Sequence, residues 1–237
     1  MVGINELYAP GILNIFTDAS IVKYPDETIG CSGFIATTLD SSGNINDICT
    51  GTKINRFSTN NDSEIKAIEM GVNFAIMNKN NFRLINLFSD SKICIYGLRE
   101  WIYNWTSTIR NGRLMSTSGE VMNQEAIKRI ICSIINNKLQ INMFHQNGHI
   151  DCKKSKDIEK ASNTFLKSND FELDEVSIIT ISAYNDLIDN FTRSMLTKEC
   201  KELEPYKFPA EFGCNFDMRI YGELQRSAYE KWINTVK

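Results

Sequence analysis

The sequence predicts an α/β fold in which a mixed five-stranded sheet is flanked by helices. Three strand-like runs come first, and the turn at residues 41–44 joins the second to the third, which indicates an antiparallel meander. From residue 60 onward, segments with helical spacing alternate with short apolar runs, a pattern typical of strands that are covered by helices. The 237 residues fit one large domain, or one domain with additions.

The individual elements follow from local patterns. Apolar, β-branched runs favour strands, and apolar residues that recur every three or four positions favour helices. Ile65, Ile68 and Val72 show the second pattern after the helix-start residues Asn60 and Asp62. The predicted strands are 12–17, 28–39, 45–57, 84–88 and 139–144. The predicted helices are 60–76, 92–105, 123–136, 156–166, 185–196 and a last one from Tyr221.

Three regions lie outside this alternation. Residues 106–119 are polar and are predicted to form an exposed projection that carries Arg110 and Arg113. Residues 151–184 carry many charges and separate the strand 139–144 from the last predicted core helix, within a predicted domain of residues 1–199. Residues 200–237 are predicted to be a C-terminal extension packed on or beside that domain.

Composition limits the possible classes. The 42% hydrophobic and 23% charged residues are typical of a soluble globular protein. The sequence has neither an apolar stretch of membrane-spanning length nor a secretory signal pattern. Seven scattered cysteines favour reduced thiols and a cytoplasmic location over a disulfide framework or a zinc site. The net charge of −3 gives no general reason to expect nucleic-acid binding, which would need a local basic patch.

Four acidic residues lie near element ends. Asp18 and Asp90 follow strands, Glu64 opens a helix, and Asp189 lies on the helix after the last strand. In open α/β sheets, ligand sites gather outside the carboxyl ends of the strands. Converging carboxylates repel one another, and divalent cations remove that cost. Two such cations can support phosphodiester hydrolysis. For Asp90 alone, a helix N-cap is the simpler interpretation, and Asp186 competes with Asp189 as the fourth acid.

Seven short motifs surround these acids in a fixed order. They are Thr17-Asp18-Ala19-Ser20, Thr59-Asn60-Asn61-x-x-Glu64, Asp90-Ser91, Gly97-x-x-x-Trp101-Ile102-x-Asn104-Trp105, Glu120-Val121-Met122-Asn123, Gly148-His149 and Asn185-Asp186-x-x-Asp189. Together they resemble the type 1 ribonuclease H family over most of residues 12–195. The chain departs from that family at Ala19, where Gly is common, and at Phe57, where Arg is often found. It also departs in residues 151–184, which separate His149 from Asp189 by forty positions and are therefore predicted to be an insertion before the last core helix.

The resemblance implies a ribonuclease-H-like fold and an endoribonuclease that hydrolyses the RNA strand of RNA–DNA hybrids with two Mg²⁺ ions, which Mn²⁺ can replace. It implies that four acids hold the ions and that His149 assists proton transfer or product departure. Those acids are Asp18, Glu64, Asp90 and Asp189. The implied nucleic-acid contacts are Ser20, Thr59, Asn60, Asn61, Lys92, Trp101, Trp105 and Asn123. We expect a monomer whose partner is the hybrid and which does not contact a membrane.

Within that set the resemblance gives separate roles. Asn60 and Asn61 would reach the RNA strand across the minor groove, where 2′-hydroxyls distinguish RNA from DNA. Trp101 and Trp105 would line the channel for the DNA strand. Thr59 and Asn123 would form a pocket for a DNA phosphate.

Simpler interpretations remain open. Helix packing is enough to explain two tryptophans four positions apart, and helix capping is enough for one of the two asparagines. His145 is predicted to be a hydrogen-bonded structural residue. A resolvase or exonuclease that acts on DNA and a catalytically silent binding module are the alternative functions. The basic start of the insertion, with Lys153, Lys154 and Lys156, leads us to expect that it borders the substrate groove.

Overall fold

A mixed five-stranded sheet with the strand order β3-β2-β1-β4-β7 forms the centre of the molecule, as predicted. The computed structural model describes residues 1–56, 59–199 and 216–236. The first three strands form the antiparallel meander, and β4 runs parallel to both β1 and β7. The strands are β1 (Ile12–Lys23), β2 (Thr28–Leu39), β3 (Ile45–Arg56), β4 (Leu84–Ser89) and β7 (Ile141–His145), with a small separate hairpin of β5 (Met115–Ser116) and β6 (Gly119–Glu120).

Helices cover both faces of this sheet. Residues that alternate along β1 face opposite sides of the sheet. Ile15 packs with Ile68 and Ile130 in one core, which we call the α2-side core, and Phe16 packs with Ile188 in the other, which we call the α7-side core. Both faces are therefore apolar, as expected for a buried sheet. The helices are α1 (Ile4–Leu7), α2 (Asn60–Met77), α3 (Lys92–Tyr96), α4 (Ile102–Ser107), α5 (Gln124–Asn137), α6 (Ser155–Asn169), α7 (Glu175–Glu199) and α8 (Met218–Val236), and a π-helical turn, Gly97–Trp101, joins α3 to α4.

Three asparagines form a buried ladder across the parallel strands. Asn86 donates its amide to Asn14 Oδ1 at 3.1 Å, and Asn142 donates to Asn86 Oδ1, also at 3.1 Å. Asn14 in turn donates to the Leu7 carbonyl at 2.9 Å. Because a buried amide without a partner is costly, this ladder favours a single register. It therefore helps to align the carboxyl ends of β1, β4 and β7.

The prediction that the last core helix begins at residue 185 is wrong. α7 begins at Glu175 and includes the β-branched run 176–181 in its first turns. Ile178 and Ile181 are buried in the α7-side core, and the Ser177 amide donates to Asp174 Oδ1 at 2.7 Å. Burial and this N-terminal hydrogen bond outweigh the weak helix propensity of β-branched residues.

α8 lies along the β7 edge and contributes to both cores. Tyr221 is buried in the α2-side core and donates its hydroxyl to the Leu98 carbonyl at 2.8 Å. Trp232 is buried in the α7-side core, 5.9 Å from the Phe144 ring centroid. The helix predicted from Tyr221 therefore begins at Met218. The prolines of the extension, Pro205 and Pro209, lie outside the described residues.

The prediction of reduced thiols is wrong for one cysteine. Cys132 is disulfide-bonded, whereas Cys31, Cys49, Cys94 and Cys152 are free thiols. Among the described residues, no helix combines the length and the apolarity that crossing a bilayer requires.

Candidate active site

Strand register brings Asp18 and Asp90 side by side. Thr17 of β1 pairs with Ser89, the last residue of β4, and Asp18 and Asp90 each follow directly in the chain. Glu64 approaches from the first turns of α2, which Ser32 fixes to β2 by donating its hydroxyl to the Ser63 carbonyl at 2.7 Å. Oxygens of the three carboxylates lie within 4.8 Å of one another. We call Asp18, Glu64 and Asp90 the acidic triad.

Asp18 and Glu64 are buried and Asp90 is half-buried, and the three carboxylates repel one another. Burial, followed by the nearby Asp90 charge, raises the pKa of Asp18 to about 8, although the Ala19 amide donates to Asp18 Oδ1 at 2.7 Å. Burial, followed by the charges of Asp18 and Asp90, raises the pKa of Glu64 well above its usual value. Burial also raises the pKa of Asp90. Glu64 Oε2 is buried and has no hydrogen-bond partner among the described residues. Hard carboxylate oxygens in this condition fit a divalent cation.

Asp189 lies beside the triad but is engaged by an arginine. Arg193 Nη2 donates to both Asp189 oxygens, at 2.8 and 2.7 Å, and His149 Nδ1 lies 3.6 Å from Asp189 Oδ2. Asp189 lines the same cavity of roughly 600 Å³ as the triad, together with Ser20 and Asn60. Asp186 is not among the residues that line this cavity, so the geometry favours Asp189 as the fourth acid.

The loop that carries His149 is fixed to the end of β4 and to the middle of α7. The Gln146 amide donates to the Ser89 carbonyl at 3.0 Å, and Gln146 Nε2 donates to Asn185 Oδ1 at 2.8 Å. A Cβ added at Gly148 would overlap Asp90 Oδ2, so only glycine fits this close approach. The His149 side chain itself is 70% exposed and can therefore reach a bound molecule.

His145 has a different environment. It is buried, and its Nδ1 lies 3.0 Å from Ser168 Oγ. Burial lowers its pKa, so the neutral ring is favoured. The prediction of a hydrogen-bonded structural histidine is confirmed.

A groove of roughly 970 Å³ contains four of the eight predicted nucleic-acid contacts, namely Asn61, Trp101, Trp105 and Asn123. The two indoles are half-buried, with ring centroids 6.0 Å apart. Thr59 and Lys92 are not among the residues that line the groove or the acidic cavity. The Thr59 hydroxyl accepts from the Asp62 amide at 3.1 Å as the cap of α2, and Lys92 Nζ lies 5.2 Å from the Tyr96 ring centroid.

Sequence reasoning missed two residues of the site. Arg193 lies four positions after Asp189 on one helix, and that spacing could have indicated the ion pair. Gln146 left no such signal, because its partners Ser89 and Asn185 are distant in sequence.

Comparisons with known proteins complete the description. The family model for RNase H matches residues 10–161, which include the acidic triad and His149 and end before Asp189. No curated protein matches the chain. Among solved structures, the RNase H domain of prototype foamy virus is 17% identical, with 65% of this chain and 92% of that chain covered and a TM-score of 0.48.

Two further structures are similar at the same level. LC9-RNase H1, a type 1 RNase H with the type 2 active-site motif, is 15% identical, with 86% of this chain and 92% of that chain covered and a TM-score of 0.46. LC11-RNase H1, solved in complex with an RNA/DNA hybrid, is 14% identical, with 65% and 96% covered and a TM-score of 0.42.

Proposed function

The chain belongs to the RNase H family, and on that premise we propose that it is an endoribonuclease that hydrolyses the RNA strand of RNA–DNA hybrids. One observation carries the proposal: three carboxylates, two buried and one half-buried, have oxygens within 4.8 Å of one another where the parallel pairing of β1 with β4 ends. Such a cluster is costly by itself, because burial and mutual repulsion disfavour its charges. A bound cation would offset this electrostatic cost, so the cluster supports a cation-dependent reaction at this site.

Asp18, Glu64 and Asp90 are the residues that would hold Mg²⁺, or Mn²⁺ in its place, and Asp189 would contribute to a second ion. These donors are suitable, because Mg²⁺ prefers carboxylate oxygens. In addition, Glu64 Oε2 has no hydrogen-bond partner in the described part of the chain. When bound, a pair of such ions stabilises the attacking and leaving oxygens of a phosphodiester.

The remaining side chains would bind the substrate and move protons. The exposed His149 ring, 3.6 Å from Asp189 through Nδ1, would take up and release a proton beside the reacting phosphate or help the product to leave. In the groove, Asn61 and the adjacent Asn60 would read 2′-hydroxyls of the RNA strand, since these groups line the accessible minor groove of such a duplex. Trp101 and Trp105 would contact sugars of the DNA strand.

Three further contacts are proposed at the edges of the groove. Asn123 lines the groove and with Thr59 would bind a DNA phosphate. Ser20 lines the acidic cavity and, with Lys92, would contact the nucleic-acid backbone. A hydroxyl, an amide and an ammonium group all suit phosphate contacts.

A cleavage assay tests the proposal. End-labelled RNA–DNA hybrid, single-stranded RNA, double-stranded RNA and double-stranded DNA are each incubated with Mg²⁺ or with chelator. We expect cleavage of the hybrid RNA strand alone, and only with Mg²⁺. Asp90→Asn should abolish it, whereas the matched control Asp186→Asn should not, because Asp186 does not line the acidic cavity.

The other outcomes identify the alternatives. Cleavage of double-stranded DNA would replace the proposal with a resolvase or exonuclease activity. Hybrid binding without cleavage under any metal condition would instead indicate a silent binding module.

A further inference from the structure

The end of α6 binds the edge strand β7 through two neighbouring side chains, Asn169 and Ser168, whose Oγ lies 3.0 Å from His145 Nδ1. Asn169 is buried, and its amide group contacts both main-chain polar groups of His145. The His145 amide donates to Asn169 Oδ1 at 3.1 Å, and Asn169 Nδ2 donates to the His145 carbonyl at 2.8 Å. An amide side chain thus takes the place of a neighbouring strand at the carboxyl end of β7.

A second set of contacts strengthens this attachment. Arg99, from the π-helical turn that also contains Trp101, donates Nη1 to Asn169 Oδ1 at 2.9 Å and to the Met143 carbonyl at 3.3 Å. Its Nη2 donates to the Ser168 carbonyl at 2.5 Å. Charge-assisted hydrogen bonds of this kind are stronger than neutral ones. The end of α6 is therefore held between β7 and the turn that carries a groove tryptophan.

His145 is the last residue before the loop that carries His149. The next residue, Gln146, is bound to the end of β4 and to the middle of α7, and Gly148 lies directly against Asp90. A displacement of the β7 end would therefore move His149 and disturb the surroundings of Asp90 together. This loop, residues 146–150, connects the attachment point to the site.

We propose that Asn169 is a positioning residue, which fixes the carboxyl end of β7 and thereby holds the 146–150 loop, with His149, against the acidic site. The insertion then acts as a brace for this loop. The catalytic consequence rests on the proposed function, whereas the attachment of the loop does not. Among the described residues, Asn169 makes no hydrogen bond to any of the four acids.

The chain contains a matched control for the helix-end role of this residue. Asn169 Nδ2 also donates to the Phe165 carbonyl, four residues earlier, at 3.0 Å. Asn137 makes the same contact at the end of α5, where its Nδ2 donates to the Ser133 carbonyl at 2.9 Å. In α5, however, this amide faces Lys79 Nζ, which donates to Asn137 Oδ1 at 3.1 Å, rather than a strand end. Asn137→Ala therefore removes the same helix-end contact, together with the hydrogen bond from Lys79, but no contact to a strand end.

Hydrogen exchange and steady-state kinetics test the proposal on the full chain. In folded Asn169→Ala, we expect exchange at residues 146–150 to accelerate by about tenfold, since the strand-like hydrogen bonds are lost, while exchange in α2 and α5 stays as in the wild type. On the RNA–DNA hybrid, kcat should fall about tenfold, with KM changed less. Asn137→Ala should alter neither readout.

A second variant covers the case in which Asn169→Ala does not fold. Asn169→Asp keeps the acceptor for the His145 amide and for Arg99 but loses the donor to the His145 carbonyl, so it should give an intermediate acceleration. Unchanged exchange at residues 146–150, or the same acceleration in Asn137→Ala, would overturn the brace. Faster loop exchange with an unchanged kcat would overturn the positioning role. If the wild type cleaves no hybrid at all, the proposed function fails while the exchange data still decide the attachment.

Discussion

At the residue scale, Asp18 shows that a carboxylate of the acidic triad lowers the stability of the fold when it is charged. Its pKa is raised to about 8 by burial and by the Asp90 charge, whereas an aspartate in an unfolded chain titrates near pH 3.9. The folded state therefore favours the protonated form. The stability that this preference contributes is complete below about pH 4 and is lost as the pH rises through about 8.

In chelator, we expect Asp18→Asn to melt at a higher temperature than the wild type at pH 8, with a smaller difference at pH 5. The neutral amide avoids the charge that the wild type must bury at high pH. Thermal unfolding followed by circular dichroism measures the effect. Adding Mg²⁺ should reverse the order at pH 8, because the cation would stabilise only the complete triad. Equal melting temperatures in chelator at pH 8 would contradict the electrostatic argument.

The two histidines form a natural pair for a second prediction. His149→Ala should lower kcat on the hybrid by about 10²–10⁴-fold, the usual contribution of a proton-transfer group, without changing the melting temperature, because its side chain is 70% exposed. His145→Ala should instead lower the melting temperature, because it leaves Ser168 without its buried partner. If folded His149→Ala keeps the full turnover rate, His149 takes no part in proton transfer or product departure and is only a residue of the loop.

The convergence of Asp18, Glu64 and Asp90 was the predictable part of the candidate site, because the local pattern identifies the elements that carry or border them, and ligand sites in such sheets gather at strand ends. The prediction that the first strand ends before Asp18 is wrong: β1 continues to Lys23, so Asp18 lies within the strand and pairs with Gly33 of β2. Arg193 and Gln146 were missed because their roles depend on the distances between elements, which the sequence pattern does not supply.

At the scale of elements, the position of α7 depends on a glycine in β2. A Cβ added at Gly33 would lie 2.6 Å from Thr192 Cγ2 and 2.9 Å from Ile188 Cδ1, both on α7. The helix carries Asp189, so a displacement of α7 from the sheet would move that carboxylate. Close packing of the helix on the strand thus sets the geometry of the fourth acid.

Gly33→Ala should therefore destabilise the fold by about 1–3 kcal/mol, the usual range for overpacking, and lower kcat in the protein that remains folded. Gly51→Ala is the matched control. A Cβ there would meet Phe34 at 2.5 Å and not α7, so it should cost stability without a comparable loss of kcat. Urea unfolding and hybrid cleavage measure the two quantities. Equal kcat in both variants would show that Asp189 does not depend on this contact.

Element types followed from periodicity, but two boundaries did not. The run 176–181 forms the start of α7 because Ile178 and Ile181 are buried against the sheet, an effect of tertiary packing that propensity does not contain. The π-helical turn within the predicted helix 92–105 also left no sequence signal. Such turns are frequent at functional sites, and this one carries Arg99 and Trp101.

At the scale of the whole molecule, the helices α6 and α8 cover one edge of the sheet. α8 and α6 both pack beside β7, through Trp232 and Phe165, which share the α7-side core with Phe144. An exposed edge strand invites pairing with other chains, and these helices cover it. These contacts join residues far apart in sequence, so composition and local pattern could not predict them.

The charge balance of the whole molecule predicts weak electrostatic binding. The net charge is −3, and several arginines are already paired with carboxylates. These pairs are Arg99 with Glu100, Arg113 with Glu120, Arg129 with Glu69 and Arg193 with Asp189. Each phosphate contact contributes about −0.9 to the slope of log affinity against log salt for B-DNA. We therefore expect a shallow slope for the hybrid, corresponding to about three or four contacts.

The last prediction concerns the lysines at the start of the predicted insertion, residues 151–184. Lys153, Lys154 and Lys156 are exposed at its start, and Lys154 pairs with Asp151 at 3.0 Å. If the insertion borders the substrate groove, replacing the three lysines with Ala should flatten the slope and weaken hybrid binding, as measured by fluorescence anisotropy from low to high salt. An unchanged slope in a folded triple variant would remove the insertion from the groove. A wild-type slope that counts about ten contacts would require a basic surface elsewhere in the chain. Either result leaves the acidic triad as the chemical centre, because phosphate contacts set affinity while the carboxylates would set the reaction.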